Sequence, residues 1–274
     1  MNNIPKFLRR NTACMICSFL IFLAVLYAMN AISGDGKTAA FSETVNGMNY
    51  LTETEKLDPS AADEFYRAKI KRISAMEQSK EEKKQLIDDI INDRTDVFSL
   101  FKDCLILGDS RALGFSYYKF LNYSQVMAGG GDTILKVREQ MDTIVNLNPS
   151  YIFLCYGVND AGRTLWNTGD EYSKDVLAVI NELQQTLPDA KIYYSSIIWI
   201  SDGAALKFPP WAKIYEYSDA CKAMCDENGI RFIDNSEICA QLKENNMWAG
   251  DGVHLSQPFY KLWGRNLLLA TLEE

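Results

Sequence analysis

Histidine occurs once in this chain, at His254, and that scarcity limits the chemistry open to its 274 residues. Seven cysteines are present, but none falls in a metal-ligand spacing: Cys14 and Cys17 lie in an apolar segment, Cys104 and Cys155 in predicted strands, and Cys221, Cys225 and Cys239 in or near late helices. Cys221 and Cys225 share a helix face at i, i+4, yet two thiols and a single imidazole in the whole chain make a poor zinc site. Most of the cysteines are read as buried core thiols. Basic charge is also lacking. The formal net charge is -8, and no Lys/Arg cluster interleaved with aromatics offsets it, which argues against a surface that tracks nucleic-acid phosphates. No Gly-x-Gly-x-x-Gly opens a helix after a predicted strand, so the dinucleotide fingerprint is missing, and no internal repeat is visible. Neither a metal nor an organic cofactor is called for.

What the chain does have is enough apolar sequence, 47% of residues, to bury one full core and a smaller appendage. Residues 1–11 carry Lys6, Arg9 and Arg10 and no acid, and residues 12–32 are then uncharged and mostly apolar. That stretch is long enough to span a bilayer. With basic residues before it and Asp35 after it, the positive-inside bias puts the N-terminus in the cytoplasm and the rest outside the cell membrane. Residues 1–33 are therefore expected to form a cytoplasmic N-terminus and a single-pass transmembrane anchor. Ala31-Ile32-Ser33 is a passable cleavage site, but the apolar run exceeds the about 7–15 residues of a signal-peptide core, which favours an uncleaved anchor.

Residues 34–103 are expected to be a linker and helical stalk. Gly, Ser, Thr, Asn and Glu dominate as far as Pro59 without a sustained period. Phe65, Ile70, Ile73 and Met76 then predict one amphipathic helix, and Leu86, Ile87, Ile90 and Ile91 a second, opened by the capping box Ser79-x-x-Glu82. From residue 104 to 274 strand-like and helix-like stretches alternate. Strands are predicted at 104–107, 123–127, 151–156, 192–199 and 231–234, and helices at 133–147, 171–187, 211–228 and 258–269. Right-handed crossovers then give a five-stranded parallel sheet with helices on both faces, an α/β domain.

Four stretches carry possible chemistry. The first strand runs through Gly108 and Asp109 into Ser110, where open α/β sheets hold their sites, although Ser and Asp before an apolar run commonly only cap a helix. After the second strand, Gly129-Gly130-Gly131-Asp132-Thr133 opens a helix. Such a run lets backbone N–H groups approach negative charge, or it serves only as a tight turn. The third strand leads into Gly157-Val158-Asn159-Asp160, in which Asn159 is a turn cap or a side-chain donor. Ser110, Gly131 and Asn159 fall on one rim of the sheet, and a nucleophile, a backbone N–H and an amide are the parts of an oxyanion hole. Last comes Asp251-Gly252-Val253-His254. A lone histidine is most often structural, but this spacing lets Asp251 accept the Nδ1 proton while Nε2 faces Ser110.

Gly108-Asp109-Ser110, Gly131-Asp132-Thr133, Gly157-x-Asn159-Asp160 and Asp251-x-x-His254, in this order, resemble the four blocks of the SGNH (GDSL-type) hydrolases. The resemblance covers about residues 104–269. It implies a flavodoxin-like α/β/α sandwich and ester hydrolysis by Ser110, His254 and Asp251. It also implies an oxyanion hole made of the backbone N–H groups of Ser110 and Gly131 and the side chain of Asn159. Arg111 departs from the apolar residue frequent after the nucleophile in that family. It is read either as a surface residue or as a substrate-binding cation for an anionic group. A position outside the membrane makes cell-envelope glycans bearing acyl groups, acetyl among them, the natural ester substrates, with lipid esters as a further option. An O-acyltransferase would use the same Ser/His/Asp site with a glycan acceptor, supplied by an envelope acyltransferase partner. A catalytically silent envelope-binding domain is the remaining alternative, and a silent domain has no physical need of all four blocks.

Overall fold

The computed structural model describes residues 59–272, so the expected anchor at 12–32 lies outside the described residues. The chain divides into two compact units, residues 1–78 and 79–274. Helix α1, Pro59–Ile91, is continuous, where the apolar pattern predicts two helices. No Gly or Pro interrupts it, and Ser79-x-x-Glu82 therefore lies within a helix and does not start one. Ile70 and Met76 on its first half are 65% and 57% exposed, so that half is not a core helix. Among the described residues no helix is long and apolar enough to cross a membrane.

The second unit is built on a sheet, and its elements follow in chain order. Strand β1 is Cys104–Asp109, helix α2 is Gly114–Tyr117, and strand β2 is Val126–Gly129. Helices α3, Lys136–Glu139, and α4, Met141–Leu147, precede β3, Tyr151–Cys155, and α5, Val158–Arg163. Helix α6, Gly169–Thr186, leads to β4, Lys191–Ser195, followed by α7, Asp202–Lys207, and α8, Ile214–Asn228. Strand β5, Arg231–Ile233, then α9, Ser236–Glu244, and α10, Gln257–Leu272, complete the unit. All pairings within the sheet are parallel, in the order β2-β1-β3-β4-β5. The five-stranded parallel sheet expected from the sequence is thus present, in flavodoxin-like order.

The period-2 alternation of strand side chains builds two cores. Leu105 and Leu107 of β1, Ile152 and Leu154 of β3, and Tyr194 of β4 face one side. There they meet Tyr172, Val176, Ile180 and Leu183 of α6 and Tyr217, Cys221 and Met224 of α8, each set spaced at helix period. Ile106, Phe153, Cys155 and Tyr193 point the other way, onto Phe259, Trp263 and Leu267 of α10 and Leu242 of α9. Ile90, Val97 and Phe101 also belong to this second core although they precede the first strand. The five cysteines among the described residues, Cys104, Cys155, Cys221, Cys225 and Cys239, are buried and unpaired, as their apolar settings predict.

Local sequence decides several departures from expectation. The helix after Ser110 is a single turn, and the one expected at 133–147 is split at Gln140. The second strand begins at Val126 because Tyr123–Gln125 forms a 3-10 turn, with Gln125 reaching back to the Asn122 N–H. The fourth strand ends at Ser195, and residues 196–199 leave the sheet toward the rim that holds the site.

Candidate active site

The parallel register brings the strand ends level. Asp109 pairs with Gly129 across β1 and β2, and Gly108 with Cys155 across β1 and β3. The strand order turns back beside β1, the place where open α/β sheets bind ligands. Ser110 is the first residue past β1 and is half-buried. Asp109, fully buried, accepts the Arg111 N–H at 2.9 Å and so bends the chain immediately after the serine.

The Ser110 hydroxyl lies 2.9 Å from Nε2 of His254, and Nδ1 of the same ring lies 2.5 Å from Oδ2 of Asp251. Burial works to raise the Asp251 pKa, but hydrogen bonds from the His254 ring and from the Val253 and His254 N–H groups outweigh it and hold the carboxyl at about 2. An ionised Asp251 is an acceptor only, which requires the proton on Nδ1 and leaves the Nε2 lone pair to receive the Ser110 O–H. The loop is pinned at both ends. Ala249 donates to the His254 carbonyl at 2.7 Å, Ser256 to that of Met247 at 2.8 Å, and Ser201 to that of Gly252 at 2.8 Å.

The second and third motifs meet on the other side of Ser110. The Asn159 amide donates to the Asp132 carbonyl at 3.0 Å, which leaves its second N–H for another acceptor. Gly157, at φ +138, allows the chain to turn from β3 into α5, and a β-carbon there would sit 2.4 Å from Ile197. The N–H of Gly131 has no partner among the described residues. Ser110, Gly131 and Asn159 thus share one rim.

Two residues differ from what their sequence positions indicate. Arg111 is neither at the surface nor open to substrate: it is 2% exposed. Its Nη1 donates to the Ile198 carbonyl at 2.7 Å, and its Nε lies 3.5 Å from Asp109, close enough to balance that charge but too far for a good hydrogen bond. The turn that presents Ser110 directs the next side chain inward beneath the segment after β4, where Nη1 is hydrogen-bonded and the buried Nε is not. Asp160 has a part that its adjacency to Asn159 signals but composition does not. Fully buried, it accepts the Ile134 N–H at 2.9 Å and ties α5 to the glycine turn. Desolvation, opposed by that hydrogen bond and assisted by the nearby Asp109 charge, pushes its carboxyl up to about 7. Among the described residues no cluster of side chains could hold a metal ion.

A hydroxyl, an imidazole and a carboxylate in line, beside a backbone N–H and an amide on the rim of a parallel sheet, are the parts of a serine acyl-transfer site. The chain belongs to the GDSL-like lipase/acylhydrolase family, which it matches over residues 107–262, and this assigns it to the SGNH/GDSL-type ester hydrolases. Among solved structures it is similar to a GDSL-like lipase from Parabacteroides merdae, at 22% identity and a TM-score of 0.51, over 62% of this chain and 96% of that one. It is also similar to a lipase/acylhydrolase from Enterococcus faecalis, at 16% identity and a TM-score of 0.49, over 62% of this chain and 95% of that one. For an acetylxylan esterase from Geobacillus stearothermophilus the figures are 15% identity and 0.47, over 61% and 92%. At 22% identity the first likeness bears on the fold. No curated protein matches the chain.

Proposed function

We propose that this chain is a serine esterase that removes acyl groups, acetyl among them, from cell-envelope glycans through an acyl-serine intermediate. In this reading Ser110 is the nucleophile, His254 the general base and Asp251 its orienting carboxylate. The observation that carries it is the 2.9 Å contact from Ser110 to His254 continued at 2.5 Å to Asp251. His254 takes the hydroxyl proton as Ser110 attacks the ester carbonyl. The oxyanion forms against the N–H groups of Ser110 and Gly131 and the Asn159 amide, and the imidazolium returns its proton to the leaving alcohol. Water then repeats the sequence on the acyl-serine and releases the acid.

The glycan substrate follows from the proposed topology. Residues 1–33 would anchor the chain in the cell membrane with its N-terminus inside, residues 34–103 would form linker and stalk, and residues 104–274 would work outside. Water as the acceptor requires no further module, whereas an acyltransferase needs an acyl donor delivered to it. Incubation of the full-length chain with an O-acetylated envelope glycan should release free acetate, with added unacetylated glycan failing to divert most of the acyl group. Ser110→Ala should release none. Transfer of the acyl group mainly to a glycan hydroxyl, measured by mass spectrometry, would replace hydrolysis with transfer.

A further inference from the structure

We infer that Arg163 reads an anionic oxygen group, carboxylate or phosphate, on the substrate beside the scissile ester, an inference that rests on the hydrolase reading above. Arg163 closes α5 four residues after Asn159, so the two side chains share one helix face. Both lie against the glycine turn. Asn159 donates to the Asp132 carbonyl, and Nη2 of Arg163 is 2.9 Å from the point that a β-carbon on Gly131 would occupy. Gly131, at φ +81, therefore offers its N–H and leaves room for a guanidinium in the same place.

That guanidinium is uncommitted. Arg163 is exposed and makes no hydrogen bond or ion pair among the described residues. Neighbouring cations are not available in this way: Lys136 is paired with Glu139 at 2.5 Å, Arg138 with Glu182 at 2.8 Å, and Arg111 is buried. Asp132 is close enough for its charge to interact with that of Arg163, but the two form no ion pair, and Asp132 is itself partly buried with its pKa raised, first by desolvation. A planar fork of donors at the mouth of an ester site matches a carboxylate or phosphate, which accepts two parallel hydrogen bonds. A basic residue at a helix C-terminus also favours the helix dipole, but that effect does not distinguish one substrate from another.

The test compares kcat/KM of the full-length chain on a neutral acetyl aryl ester, the same ester carrying a ring carboxylate, and the same ester carrying a phosphate. Arg163→Gln should lower the anionic-to-neutral ratio about 10–100-fold, the range of a charge-assisted hydrogen bond. Arg163→Lys should restore part of it, and added salt should shrink the ratio of the wild type but not that of Arg163→Gln. Which of the two anionic esters loses more identifies the group that is read. Equal losses on all three esters, or an unmoved ratio, would overturn the inference. If the ratio is unmoved while neutral-ester hydrolysis remains dependent on Ser110, only the role of Arg163 fails. If Ser110→Ala hydrolyses the neutral ester as the wild type does, the hydrolase reading fails and this inference with it.

Discussion

His254 has one lone pair to offer Ser110, and the tautomer decides where it points. Asp251, held ionised down to about pH 2, keeps the proton on Nδ1 across the working range. Protonation of Asp251 should therefore not be what removes kcat/KM in mild acid. Asp251→Asn removes the acceptor that selects the tautomer, and kcat should fall about 10⁴-fold with little change in fold, checked by steady-state kinetics beside circular dichroism. Asn159→Ala should cost about 10²–10³ in kcat with KM nearly unchanged, since its free N–H matters only once charge develops on the oxygen. A change confined to KM would make Asn159 a substrate-positioning group. The positions of Ser110, Asp251 and His254 were legible because four motifs occur in order: the Asp251-x-x-His254 spacing alone suits a structural histidine as well, and the serine turn that precedes it in the chain narrows the reading. Arg111 was not legible. Whether the residue after Ser110 points outward or inward depends on the turn that Asp109 caps, and composition says nothing about that direction.

Elements place these residues through a few fixed contacts. Helix α5 is short, and its hold on the glycine turn comes from Asn159 on the Asp132 carbonyl and Asp160 on the Ile134 N–H. Asp160 carries a folded-state pKa of about 7 against an ordinary 3.8. The folded state thus binds the extra proton between those values, and the contribution of Asp160 to stability is fully present below 3.8 and is lost as pH rises to about 7. Asp160→Asn keeps an acceptor for Ile134 but does not titrate. The Tm of Asp160→Asn minus that of the wild type should increase from pH 4 to pH 7.5, and a pH-independent difference would contradict the assignment. Strand positions were readable from apolar runs because parallel strands are buried on both faces, as β1 is at all its positions, and its run from Cys104 to Leu107 is apolar throughout. Helix α5 was hidden, since the six residues from Val158 are too few to show a period. The length of α1 was hidden for a different reason: a capping box inside a helix resembles one at its start.

At the scale of the molecule, the β2-β1-β3-β4-β5 order puts the ends of three strands on one rim, and the loop before α10 brings the histidine to it. The order of the four motifs in the chain made this convergence readable before any contact was known. Leu86 and Ile90 read as an apolar stripe whatever they face, and only the fold shows that they pack into the same core as α10. In the proposed mechanism Ser110 carries the acyl group. This is tested most directly by mixing the full-length chain with a short-chain aryl ester, quenching in acid within one turnover, and mapping the added mass by peptide mass spectrometry. One acyl group is expected on the peptide containing Ser110, formed in a burst with the released phenol, with no adduct or turnover in Ser110→Ala. An acyl adduct on another residue, or undiminished turnover in Ser110→Ala, would contradict this mechanism.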